Sequence, residues 1–167
     1  HIVFSIPKLL RAYFRYDREL HRLIFDAAWE SLREWFQFRL PGSVPGAVFS
    51  IQTAGASLNH NPHIHGIVSD GAFTPDSDFE RLGYIDTAEI NARFGELLVQ
   101  SMLYEELLTV ETVQLLNSWT HSGFNVWAGS PIAPDDASAR RFVAKYIDRG
   151  PIALSRIQIQ DDIVTYN

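Results

Sequence analysis

No cysteine occurs anywhere in the 167 residues, which excludes disulfides, thiolate zinc sites and cysteine nucleophiles. That absence fits a reducing compartment. No apolar run reaches the ~18 residues that a membrane-spanning helix needs, so no membrane partner is expected. Cations are outnumbered: 14 Lys and Arg face 20 Asp and Glu, a net charge of −6 at pH 7. This excludes a uniformly basic nucleic-acid-coating protein. Internal repeats, low-complexity tracts and linkers are also missing. What is present, 46% apolar and 20% charged residues, is the balance of a folded chain, and its length suits one domain over residues 1–167. A start at His1, with no Met and no signal-like region, suggests a piece of a longer chain.

The charges are segregated along the sequence. From Asp76 to Glu111 nine carboxylates face only Arg81 and Arg93, and from Arg140 to Arg156 five cations face only Asp148. The first segment is expected to turn away from a polyanion and the second is able to face one.

His1–Ile6 is β-branched and aromatic and stops at Pro7, which predicts an opening strand. From Lys8 to about Phe38, apolar residues recur at three- and four-residue steps, which predicts one long amphipathic helix ended by Pro41-Gly42. Lys8, Arg11, Arg15 and Arg18 crowd its first half, on a face that either meets water or contacts phosphate. Val44-Pro45-Gly46 reads as a turn and 47–53 as the next strand. Asp70-Gly71 is expected to close the following strand, and 74–84 to be a polar connection. Asp86-Thr87-Ala88-Glu89 resembles a capping box opening a helix that carries Ile90, Phe94, Leu97, Leu98 and Leu107. A second helical piece is expected at 110–119, a short strand at 124–127, and His121 at their junction as a helix-end cap. A helix after Pro134-Asp135-Asp136 and a closing hairpin over 156–166 complete the order. The fold class expected is α+β, an antiparallel sheet flanked by helices.

Two stretches carry chemistry. In Asn61-Pro62-His63-Ile64-His65-Gly66 the strand period of two puts His63 and His65 on one face and Ile64 on the other. Pro62 favours an extended entry, and Gly66 is expected to leave room beside His65. Two imidazoles on one strand face make half a metal site; the plainer reading is a pair of structural histidines. The short link from the preceding strand predicts an antiparallel pair, with Gln52 beside the histidines. Its amide oxygen suits magnesium or manganese, while a polar residue on an open face is the alternative. In the late helix, Arg141, Lys145 and Arg149 recur at four-residue spacing beside Tyr146, with Arg156 further on. A tyrosine hydroxyl beside such a stripe can meet a phosphate, and it can equally sit at the rim of a packed face.

The ordered stretches "HIVFSIPKLLRAYF", "QTAGASLNHNPHIHGIVSDGAF" and "FVAKYIDRGPIALSRI" resemble three blocks of the rolling-circle insertion-sequence transposases of the HUH single-strand endonuclease superfamily. The resemblance implies a ferredoxin- or RRM-like palm and a divalent metal, magnesium or manganese, on His63, His65 and a third polar ligand. It also implies that Tyr146 attacks a phosphodiester of single-stranded DNA, at a hairpin or transposon end, in the prokaryotic cytoplasm at the nucleoid. Arg141, Lys145, Arg149 and Arg156 are the DNA-contacting candidates, and Trp127 and Phe49 are candidates to stack on unpaired bases or to pack in the core. Two positions depart from the family pattern. Phe142 stands where a further tyrosine is common, which resembles a one-tyrosine branch, and Asn61 stands where a histidine is common. Two competing readings stay open, a histidine-triad-like nucleotide hydrolase and a decayed, non-catalytic DNA-binding module.

Overall fold

The computed structural model describes residues 1–55, 59–147, 157–161 and 163–166. Arg149 and Arg156 lie outside the described residues. The order is β1 (Ile2–Ser5), a 3-10 turn (Lys8–Ala12), α1 (Tyr13–Tyr16), α2 (His21–Arg39), β2 (Val44–Ala54) and β3 (His60–Phe73). It continues with β4 (Phe79–Arg81), α3 (Thr87–Tyr104), α4 (Val110–Asn117), β5 (Asn125–Ala128), α5 (Ala137–Ile147), β6 (Ile157–Gln160) and β7 (Ile163–Tyr166). The main sheet runs β2-β3-β1-β5, with β4 also paired to β3, and every pairing is antiparallel. Helices α2 and α3 pack on each other and against this sheet, so the expected α+β class is what forms. The closing hairpin forms as β6 and β7.

The two faces of the sheet differ because its strands alternate. Ile2, Phe4, Ile64 and Val126 are buried on the side of α2 and α3, where the Phe4 ring meets Phe94 of α3 with centroids 5.1 Å apart. Their neighbours Val3, Ser5, His63, His65, Asn125 and Trp127 pair across strands on the other face, since directly opposed antiparallel residues share a face. Acidic α3 therefore lies in the layer remote from the histidines. Its Arg93 is tied to Glu34 of α2 at 2.6 Å and to Glu96 at 3.1 Å.

Several local expectations are corrected. The long helix is broken: Asp17 is extended (φ −121°, ψ 108°), and its carboxylate accepts the Glu19 N–H at 2.9 Å. A short acidic side chain offers the backbone this alternative to the helical bond. Val44-Pro45-Gly46 belongs to β2 rather than to a turn, with a register shift between Pro45 and Ala47. Proline has no N–H for the ladder and is tolerated at such an irregularity. Gly71 does not close β3. A Cβ there would stand 2.0 Å from the Glu80 carbonyl oxygen, so glycine admits β4 inside the predicted connection. Leu107 falls beyond the end of α3, and His121 is exposed in the loop after α4.

Gly66 also acts differently from the expectation. A Cβ on it would meet the Phe49 ring at 2.6 Å and Ile2 at 3.0 Å, so the space it leaves is on the core face, opposite His65. Phe49, edge-on to Phe4 at 6.0 Å, is accordingly a core residue and no platform for bases. Gly66→Ala is expected to destabilise the fold by about 1–3 kcal/mol, the usual cost of overpacking a filled site. Urea unfolding measures this, and an unchanged midpoint would contradict the packing argument.

Candidate functional site

The open face gathers side chains from four elements. β3 supplies His63 and His65, whose ring centroids are 4.8 Å apart. β2 places Gln52 directly opposite His63. The residue preceding β1, His1, reaches His65 with an Nε2···Nδ1 distance of 3.0 Å. Helix α5 packs against β3 and sets the Tyr146 ring 5.2 Å from that of His65 and 5.7 Å from that of His1, edge-on to both.

Local sequence explains these positions. Between the Gln52/His63 and Ala54/His60 pairs the ladder slips, around a Pro62 that has no N–H to donate. Here the Asn61 carbonyl accepts a hydrogen bond from His63 Nδ1–H at 2.6 Å. A carbonyl can only accept, so the His63 proton sits on Nδ1 and the Nε2 lone pair is left open, the form that ligates a metal. The departure at Asn61 is thereby bridged, because the contact to His63 comes from its backbone and any residue can make it. The Asn61 Oδ1 and the neighbouring His60 Nε2 are buried without hydrogen-bond partners among the described residues.

His65 is 4% exposed, and its Nε2 is buried with no hydrogen-bond partner among the described residues. Burial first, and then the nearby His63, push its pKa down to about 4, because a charged imidazole is costly away from water and beside a second titratable imidazole. The consequence for stability has a definite sign. An unfolded histidine takes up a proton near pH 6.5 and native His65 only near 4, so between these values the unfolded chain binds more protons. The stability this group contributes is complete above pH 6.5 and is lost as the pH falls toward 4. At ~1.36 kcal/mol per unit the whole loss is about 3 kcal/mol. Chelator-treated protein melted in urea across that range is expected to show the decline, and His65→Gln to flatten it. An equal decline in both proteins would assign the effect elsewhere.

Among the described residues no group of three or more His, Asp or Glu side chains is arranged to hold a metal ion. The potential donors on the paired strands are two imidazoles and the amide of Gln52, whose backbone stands opposite His63. The chemistry of that set fits a divalent cation: His63 carries its proton on Nδ1 and so has an Nε2 lone pair, His65 has a buried nitrogen with no partner among the described residues, and the strand position opposite His63 holds a neutral amide side chain.

On α5 the basic stripe is partly described. Arg141 Nε donates to the Ala137 carbonyl at 3.2 Å; Arg140, Arg141 and Lys145 make no ion pair among the described residues. Tyr146 is 40% exposed. Phe142, one helical turn before Tyr146, does not turn inward. It is 71% exposed, with its ring near-parallel to that of Tyr146 at 6.4 Å, while Ala139, Val143 and Ile147 turn inward. Trp127, 51% exposed, stands edge-on to His1 at 5.6 Å. Beside them a cleft of about 460 Å³ is lined in part by His1, Ser69, Asp70, Tyr84, Ser130 and Arg140.

Sequence reasoning missed His1 as a site residue and used it only to begin a strand. The signal was available, since the alternation His1, Val3, Ser5 carries the face of His63 and His65 once β1 and β3 are neighbours. That pairing is between segments distant in sequence, and no local pattern announces it.

Comparison with known proteins agrees with the resemblance to transposases. Residues 46–167 match the model of the family described as "Putative transposase". A curated protein of Sinorhizobium fredii (strain NBRC 101917 / NGR234), named "Putative transposase y4qJ", is 35% identical over 78 residues. Those residues are 46% of this chain and 20% of that protein, so the match spans a fifth of the relative's length. No solved structure matches. No helix among the described residues is long and apolar enough to cross a membrane. The family match runs through most of β2, the histidine strand β3, β5 and the tyrosine helix, and the chain belongs to this transposase family.

Proposed function

We propose that the chain nicks and rejoins single-stranded DNA through a covalent link to Tyr146, as the resemblance to HUH enzymes implies. The observation that carries this reading is the convergence of Tyr146 on His65, ring centroids 5.2 Å apart, across a large separation in sequence and on the one sheet face that the helical layer leaves open. A buried imidazole nitrogen with no partner among the described residues, beside a half-exposed phenol, is costly in a purely structural surface. It has a use where a phosphate and a cation enter.

His63, His65 and Gln52 are the residues that would hold magnesium or manganese. When bound, the ion supplies Lewis-acid polarisation of a phosphate oxygen. The remaining work belongs to the chain. Tyr146 gives up its phenolic proton and its oxygen attacks phosphorus; the bond from phosphorus to the 3′ oxygen breaks, and that oxygen takes a proton. A 5′-phosphotyrosine and a free 3′-hydroxyl result. Because one phosphoester replaces another, an incoming 3′-hydroxyl reverses the step with no nucleotide cofactor. A phenolic oxygen attacking phosphorus needs cationic help for the charge that develops, for which Arg141 and Lys145 lie on the helix of Tyr146. Arg149 and Arg156 remain DNA-contact candidates on sequence grounds. Trp127 offers a ring on which an unpaired base can stack.

The test incubates the protein with manganese and a panel of end-labelled single-stranded oligonucleotides, including hairpins, and resolves the products on a denaturing gel. The reading expects a DNA-linked protein band whose adduct maps to Tyr146 by mass spectrometry. An adduct on a histidine would instead favour the histidine-triad-like hydrolase. DNA binding with no nicking by any oligonucleotide would favour the decayed module.

A further inference from the structure

We propose that His1 is a positioning residue that accepts a hydrogen bond from His65 Nδ1–H and so holds His65 in the tautomer whose Nε2 lone pair stays open. The proposal deepens the reading of His65 as a metal ligand and rests on it for its purpose, although the lock itself can be observed without metal.

Two arrangements satisfy the 3.0 Å contact between His1 Nε2 and His65 Nδ1. In one, His1 Nε2–H donates. His65 then carries its proton on Nε2, and that atom is a buried N–H with no acceptor among the described residues. In the other, His65 Nδ1–H donates, and the partnerless Nε2 is a lone pair. Orphaned buried donors are rarer and costlier than under-used acceptors, so the second arrangement wins. His63 is in the same state by a different route, through the Asn61 carbonyl at 2.6 Å. Both imidazoles of the pair therefore present open Nε2 positions, one fixed by a backbone carbonyl and the other by His1.

The geometry is that of a directed bond rather than of loose ring contact. The two rings are within 4° of parallel and their centroids are 5.3 Å apart. That separation is as large as two imidazoles joined at a 3.0 Å N···N contact can have, so they lie end to end in one plane. His1 is itself braced, with Trp127 edge-on at 5.6 Å and Tyr146 edge-on at 5.7 Å. Its main chain is anchored too, as its carbonyl accepts the Gly129 N–H at 2.9 Å. A side chain held on three sides has little freedom to turn its acceptor away.

Long-range proton–nitrogen NMR correlations on the metal-free chain read the tautomer directly, and manganese titration reads its consequence. The expected result is an Nδ1–H His65 in the parent and a mixture of tautomers in His1→Ala. His1→Phe, which keeps the ring volume without an acceptor and serves if the alanine variant fails to fold, should behave like His1→Ala. His1→Gln should restore Nδ1–H through its amide oxygen. Manganese affinity should follow the tautomer, falling by about 10- to 100-fold in the acceptor-free variants, the usual effect of removing an outer hydrogen-bond partner of a ligand, and recovering in His1→Gln. A parent His65 protonated on Nε2, or a tautomer that does not respond to residue 1, overturns the proposal. Manganese failing to bind even the parent, while the tautomer still follows residue 1, removes the metal reading and leaves the lock standing.

Discussion

Replacing Tyr146 with phenylalanine is expected to abolish the covalent DNA adduct and to lower nicking by about a thousandfold or more, the scale on which removal of a nucleophile acts. The substitution deletes one oxygen from a ring that is 40% exposed, so neither the packing of α5 nor the edge contacts to His1 and His65 should change. Single-stranded DNA affinity, measured by fluorescence anisotropy with EDTA present, should stay close to that of the parent. The contrast matters because Phe142 already occupies the position one helical turn earlier and cannot attack phosphorus. If Tyr146→Phe still forms an adduct, some other residue is the nucleophile and the convergence of Tyr146 on the histidines has another meaning. If it loses DNA binding along with the adduct, the hydroxyl serves recognition rather than attack.

The second large effect concerns the histidine pair. His63→Ala is expected to weaken manganese binding by about a hundredfold or more and to lower nicking at least as far, since a ligand should matter no less than its outer partners. His63 is the better probe of the two. It is only partly buried, whereas His65 is almost fully enclosed and its truncation would open a cavity. Thermal unfolding of His63→Ala in EDTA should therefore resemble that of the parent, while the stabilisation the parent gains from added manganese should vanish. Gln52→Ala should show a smaller loss of the same kind, about tenfold, if its amide is the third ligand. A manganese-bound structure in which a different residue completes the set would reject Gln52 while leaving the pair intact. Parent-like manganese affinity in His63→Ala would dispose of the metal site.

The parts of this fold that were legible beforehand are those governed by short periods. Alternation placed Ile64 in the core and His63 with His65 on the opposite face, and the apolar stripe of α2 announced a core helix. Asp86 opens α3 as expected, accepting the Ala88 N–H at 2.9 Å. The errors fell where two local signals competed or where a distant partner decided. Asp17 broke a helix that the apolar period continued. Pro45 and Gly71 looked like punctuation and are strand residues, because a bulge tolerates the one and the approach of β4 requires the other. Phe142 shares a helix with Tyr146, yet spacing could not tell that its ring faces solvent.

For the site, the sequence by itself determined the chemistry of the parts: no thiolates, two imidazoles on one strand face, an amide on the neighbouring strand, and a phenol among cations on a late helix. These follow from composition and from periods of two and four residues, which every strand and helix imposes on its own residues. Only the tertiary structure decided which of them meet. The β1–β3 pairing brought His1 to His65 and gave that histidine its hydrogen-bond partner, while His63 finds its own in the Asn61 carbonyl of the same strand. The packing of α5 on β3 brought Tyr146 to the same spot. Such contacts join segments that share no local pattern, and they are fixed by burying the other face of the sheet under α2 and α3, which leaves the histidine face open to a ligand.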